Sequence, residues 1–269
     1  MKKAILICII VLLAVIVIAA GIGYGIGRAI KNNVNVVSGG ADFRYSDAGS
    51  YNIGNGDISQ KISKISINWL NGEVKVSEYS GSTLTIKDEV ISGALKEELK
   101  LRWKKEGNEV KIQYAEADKK LYLDDFKKNL VVMVPSSWSL DKVEIDVVSA
   151  DSTIALGSLK ELDWHSVNGN MDAKVDSISS VECNTVNGDV SLYMKKSGPK
   201  ELDIDSVNSD VTISLPASSS FTLKRSSVNG SLNSDFAGKV SGSNTFIVGT
   251  GDSDWKIESV NGNVNLKAI

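Results

Sequence analysis

The chain has 269 residues, 42% of them apolar, enough for one substantial core or two modest ones at about 100 to 200 residues per domain, and this excludes a disordered chain. Residues 1–31 hold four basic residues and no acid, so the remainder carries 26 bases against 33 acids, a net −7. A mildly acidic domain without a basic cluster argues against nucleic acid, and one histidine with two cysteines cannot build a His/Cys zinc site or a disulfide framework.

Met1-Lys2-Lys3 precedes 23 uncharged residues, Ala4 to Ile26. As a helix they would span about 35 Å, against a hydrocarbon core of about 30 Å. The run exceeds the apolar region of a cleaved signal peptide, and Ala19-Ala20-Gly21 is a poor cleavage site, so residues 1–31 read as a retained membrane anchor. Lys2 and Lys3 favour a cytoplasmic N-terminus, which places the rest of the chain outside the cytoplasm after a single pass. Cys8 within the span reads as apolar filler, and the GxxxG spacings of Gly21 to Gly27 are a weak self-association signal. Residues 32–57, rich in Asn, Ser, Gly and Asp, read as a flexible tether.

Residues 58–269 read as one β-strand-repeat domain. Its start is irregular: alternation at Leu99, Leu101 and Trp103, a Glu106-Gly107-Asn108 turn, then Val110, Ile112 and Tyr114 predict an antiparallel hairpin. Leu130, Val132 and Val134 predict a strand stopped by Pro135, and Ala94 to Glu98 could make one helical turn. A seven-fold motif then dominates. It occurs as Trp69-Leu70-Asn71-Gly72, Val147-Val148-Ser149-Ala150, Ser166-Val167-Asn168-Gly169, Thr185-Val186-Asn187-Gly188, Ser206-Val207-Asn208-Ser209, Ser227-Val228-Asn229-Gly230 and Ser259-Val260-Asn261-Gly262. From position 149 to 229 the copies lie 19 to 21 residues apart, and each is flanked by apolar alternation of period two.

Two geometries fit. A type I′ hairpin at Asn-Gly would build a β-sandwich, but it puts the motif's Val on the polar face and meets Ala150 and Ser209 where a positive φ is needed. A shallow corner followed by extended chain would build a β-solenoid of coils of about 20 residues, each strand pairing in parallel with its counterpart one coil away. It points all seven Val or Leu residues inward and makes the Gly, Ala or Ser column an inward position for small side chains. The solenoid is the preferred reading; the hairpin-built sandwich is the alternative.

The strand ending in Lys104-Lys105-Glu106-Gly107-Asn108, the Val134-Pro135 and Leu215-Pro216 stops, and the repeated Ser-Val-Asn-Gly resemble the bacterial "putative adhesin" β-strand-repeat family of unknown function. The likeness covers about residues 60–269. It implies a solenoid-like, membrane-tethered, envelope-associated protein, and it brings no catalytic residues.

The Asn column (Asn71, Asn168, Asn187, Asn208, Asn229, Asn261) is expected to stack as a structural ladder of amides. A second column, Glu73, Asp151, Asn170, Asp189, Asp210, Ser231 and Asn263, offers oxygens to calcium in principle, but lacks the nonapeptide calcium-roll pattern. His165 reads as a solvated surface residue and Cys183 as a buried thiol, while Arg225 breaks an inward apolar column. Asp203, Asp205 and Asp172 are the acids that a polysaccharide-cleaving enzyme would need, without a cleft to hold the sugar. After Gly262 only one strand remains, so Val264 and Leu266 read as an uncovered edge, open to a second molecule or to a partner strand, unless residues 231–254 fold over it. The expectation is a non-catalytic interaction or adhesion module at the bacterial cell membrane, without cofactor or metal, in envelope sensing or contact with a protein or envelope polymer. A structural polymer former is the alternative, and a polysaccharide-active enzyme is a more distant one.

Overall fold

The computed structural model describes Tyr45, residues 47–119, Leu121 and residues 126–269. The anchor expected at residues 1–31 lies outside the described residues.

Period-two alternation produces strands almost throughout, and the one helical element among the described residues is a single 3-10 turn at Glu97–Leu99. The repeats stack as coils of a parallel two-sheet solenoid. Sheet A holds the strand before each motif and sheet B the strand after it. Pairing is in register, with Asn168 beside Asn187, Asn187 beside Asn208, and Met171 beside Val190. Leu140–Asn168 and Met171–Asn187 each run on through the far corner into the next coil. The core lies between the sheets: Leu162 and Trp164 of one face Met171 and Ala173 of the other, all at or below 1% exposure.

The coils do not stack in chain order. Asp254–Asn261 pairs with Glu201–Asn208 on one side and with Phe221–Asn229 on the other, so the last copy is inserted between the two before it. Val264 is therefore paired with both Val211 and Leu232, and Leu266 with both Ile213 and Ser234. Both side chains are 1% exposed. The expected C-terminal edge at Val264 and Leu266 is corrected: it is an interior strand. The outermost coil is the one at Ser227, and the insertion after it forms the cover. Gly238–Ser241 and Thr245–Val248 form an antiparallel hairpin that adds to Phe221–Lys224. Phe236 packs edge-on to Phe221, which stacks on Trp255 at 4.1 Å, and these rings close that end of the core.

The other end carries its own cap. Glu109–Gln113 adds in parallel outside residues 64–68 and Lys127–Pro135 outside residues 74–79. Antiparallel strands Arg102–Glu106 and Leu84–Ser92 lie beyond them. Residues 47–57 belong to this cap. Asn52–Ile53 pairs with Trp103 and Arg102, Gly56–Ile58 with the 84–86 segment, and Asp47 bonds Lys104. Two short stretches of the expected tether, Asn52–Ile53 and residues 56–57, are therefore strand, because they find partners on an otherwise open edge. Within the cap Lys128 is fully buried, its Nζ 2.8 Å from Asp88 and 2.7 Å from the Leu99 carbonyl, under the rings of Trp69 and Tyr114.

The motif's side-chain phase also differs from expectation. Ser166, Thr185, Ser206 and Ser259 take the inward slot. Val167, Val186, Val207 and Val260 instead form a separate, partly exposed row on the outside of the corner. Leu70 and Val148 are buried. The glycine column marks a close backbone approach: a Cβ at Gly188 would lie 1.9 Å from the Gly169 carbonyl oxygen, and one at Gly262 would lie 1.8 Å from that of Ser209. Gly188 also has a φ of +138°, which side chains rarely adopt.

Gly188→Ala should therefore destabilise the protein by about 1 to 3 kcal/mol in urea unfolding. Gly107→Ala, at a turn with φ +56° and no atom within 4 Å of the added Cβ, should cost less. Equal effects would show that the approach of the coils is not the constraint. Lys128→Met leaves the half-buried Asp88 without its cation, and by the same measurement it should cost about 3 to 5 kcal/mol.

Candidate interaction face

Two polar ladders edge the corner. Asn229 Nδ2 donates to Asn261, Asn261 to Asn208, Asn208 to Asn187, and Asn187 to Asn168, at 2.7 to 2.9 Å. Asn71 stands apart: its register partner is Ser149, which has no amide, and its Nδ2 lies 3.5 Å from the Phe126 carbonyl. In the second column the Asp and Asn side-chain oxygens accept backbone N–H groups of the neighbouring coil. Asp151 takes that of Asn170, Asn170 that of Asp189, Asp189 that of Asp210, and Asp210 that of Asn263. These oxygens, considered above for calcium, are thus engaged in holding coils together.

The outward side of sheet A has a different chemistry. In-register stacking puts Asp163 beside Glu182, Glu182 beside Asp203, and Asp205 next to Glu258. Like charges one strand apart repel, and three cations relieve them. Lys142 bonds Glu161 at 2.6 Å and also Asp163. Lys256 lies 3.3 to 3.4 Å from Asp203, Asp205 and Glu258. His165, expected in solvent, is only 14% exposed and sits between two carboxylates, with Nδ1 3.0 Å from Asp146 and Nε2 3.8 Å from Glu182. Carboxylates outnumber these cations across the face, and it keeps a net negative charge.

The electrostatics follow from this crowding. Burial disfavours the imidazolium, but the hydrogen bond to Asp146 and the charge of both carboxylates outweigh it and push His165 up to about 10. Its bond to Glu182 in turn holds that carboxyl below its usual range. Burial raises Asp163, Asp203 and Asp205 against the pull of Lys142 and Lys256. Asp172 is not part of this set: it lies on the outer side of sheet B, paired with Lys174 at 2.9 Å. Cys183 is fully buried, and burial pushes its thiol up. Arg225 aligns with Ile257, and its Nε and Nη2 are buried without a hydrogen-bond partner among the described residues. Neither the His165 cluster nor Lys128 is signalled by local sequence, since Asp146, His165 and Glu182 meet only when coils 19 and 17 residues apart are stacked.

His165 has a folded pKa above its unfolded value of about 6.5. Its stabilising contribution is complete below about pH 6.5 and is lost as pH rises toward about 10. The stability difference between the protein and His165→Gln, from urea unfolding across that range, should shrink with rising pH. Taking the difference removes the opposite slope from Lys128, which burial pulls down to about 8. A difference that is constant with pH would contradict the ion pair.

No curated protein matches the chain. Among solved structures it is similar to a "putative cell adhesion protein" from Clostridium sporogenes, at 14% identity over 81% of this chain and 100% of that one, with a TM-score of 0.48. It is also similar to a "putative adhesin" from Bacteroides fragilis, at 14% identity over 82% and 98%, with a TM-score of 0.38. The repeats from Gly157 to Lys267, which include the His165, Asp203 and Lys256 coils, match the model of the Toastrack family, DUF4097.

Proposed function

We propose that this chain is a membrane-anchored, extracytoplasmic, non-catalytic interaction module of the bacterial envelope, with the outer side of sheet A as its contact face. The observation that carries this reading is the pre-ordered surplus of carboxylates on that face. Asp163, Glu182, Asp203 and Asp205 are fixed at strand spacing, with Lys142, His165 and Lys256 interposed. A rigid acidic array suits a protein or envelope polymer with cationic groups, because the ordering of its side chains precedes binding.

Catalysis finds less support in this geometry. Glycoside hydrolysis needs two carboxyls flanking a bound sugar, whereas Asp203 and Asp205 stand on one strand and share Lys256. A head-to-tail polymer would have to displace the antiparallel strands that cover parts of both end coils.

A photo-crosslinking residue at the exposed Glu201 of the full-length protein should capture a partner in intact cells, with a yield that falls as external salt is raised. The same residue at Tyr193 on sheet B should capture little. Capture from Tyr193 alone would move the contact face. Release of new reducing ends from polysaccharide by the full-length protein, lost on changing both Asp203 and Asp205 to Asn, would replace the reading with an enzyme.

A further inference from the structure

Seven large apolar side chains are exposed among the described residues, and four of them, Ile53, Val90, Ile91 and Leu95, lie in the cap at the solenoid's first end. They are 40 to 54% exposed. Val90 and Ile91 stand at the end of Leu84–Ser92, every residue from Glu89 to Glu97 is exposed, and Ile91 is at the rim of a groove that also borders Gly72, Lys127 and Asp151. Leu95 follows a turn at Gly93, where φ is +87°. Ile53 joins them across the chain, because Asn55 Oδ1 accepts the Asp88 N–H at 3.0 Å and so draws the 53–55 turn against the base of this segment. Exposed apolar residues concentrated in one end cap mark a contact surface rather than scattered exposure.

Two observations identify what covers it. The first is where the chain enters. Asp47, near the start of the described residues, lines the same groove as Ile53 and Glu97 and so belongs to this end. Residues 27–46 span at most about 70 Å even when fully extended, and this keeps the cap at high effective concentration near whatever holds the apolar run Ala4 to Ile26. The second is charge along the solenoid. Residues 1–46 hold five bases and one acid, residues 47–135 fourteen of each, and residues 136–269 eleven bases against eighteen acids. An anionic lipid surface attracts the first segment, is indifferent to the cap, and repels the repeats.

We infer that the cap docks on the lipid surface through Ile53, Val90, Ile91 and Leu95, so that the solenoid stands with its first coil at the membrane and the coil at Ser227 outermost. This inference rests on the proposed anchor. It adds an orientation that the anchor alone does not impose: the apolar tip enters the headgroup region, and the acidic side of sheet A is carried away from the lipid, open to a partner approaching laterally or from outside.

The test uses full-length protein, with Cys8→Ser so that the buried Cys183 is the one native thiol left, in vesicles of phosphatidylethanolamine and phosphatidylglycerol. An environment-sensitive fluorophore is attached at Ile91→Cys or, at the opposite end, at Val240→Cys, which replaces a side chain 74% exposed. Spin-labelled lipid should quench the label at 91 strongly and the label at 240 little. Ile53→Ser, Val90→Ser and Leu95→Ser together should abolish the quenching at 91 with an unchanged melting temperature. Protein that resists alkaline carbonate extraction yet shows no quenching at 91, or equal quenching at both positions, overturns the docking and leaves the anchor standing. Protein that carbonate extracts overturns both.

Discussion

The closest constraint in this molecule is the meeting of backbones at the Asn-Gly corner. A Cβ at Gly169, Gly188, Gly230 or Gly262 would sit 1.8 to 2.0 Å from a carbonyl oxygen of the neighbouring coil. Coils that approach so closely can stack only in register, and in-register stacking then determines the remaining contacts. The Asn amides bond one another, and the Asx oxygens two residues on collect the N–H groups that the bent chain turns toward the neighbouring coil. Buried or half-buried backbone groups at a corner must find partners, and these columns supply them.

Register has a cost on the outer side of sheet A. It places acid beside acid along the stack, and the penalty is relieved by the few cations that the sequence supplies at the right coils. His165 illustrates the coupling between fold and charge: its protonation is set by residues of the coils on either side, so its ionisation reports on the integrity of the stack. The surplus acids that remain unpaired are what distinguish this face from the Ser-, Thr- and Asn-rich outer side of sheet B, where Ser191, Thr212 and Asn265 stand in line.

A stack of identical coils has two raw ends, and the chain treats them by covering rather than by shortening. Antiparallel strands with no counterpart in the repeats lie across both. At the far end the covering segment interrupts the repeats, and the chain then returns to insert its last copy inside the one already laid down. The C-terminal strand thereby gains partners on both sides, and the exposed edge passes to a shorter strand, Leu232–Ser234.

Much of this was legible in the sequence. The seven copies, the period of two around them and the spacing of 19 to 21 residues among the five from Ser149 to Asn229 are local facts, and they determine strands, coil length and parallel stacking, because a repeat that cannot bury its apolar side alone must bury it against its neighbour. The surplus of acid and the apolar run near the N-terminus are likewise written in composition. What only the tertiary structure decided was phase, order and pairing. Alternation breaks at the corner, where Ser206 points inward and Val207 does not, because the inward slot next to the closest backbone contact accepts a small hydroxyl side chain. The order of the last coils depends on which arrangement gives Val264 and Leu266 two partners, a choice among near-identical strands that no local pattern distinguishes. The same holds for Lys128 with Asp88 and for His165 with Asp146 and Glu182: their energetics arise from burial and from charges brought close by stacking, and neither exists until the coils meet.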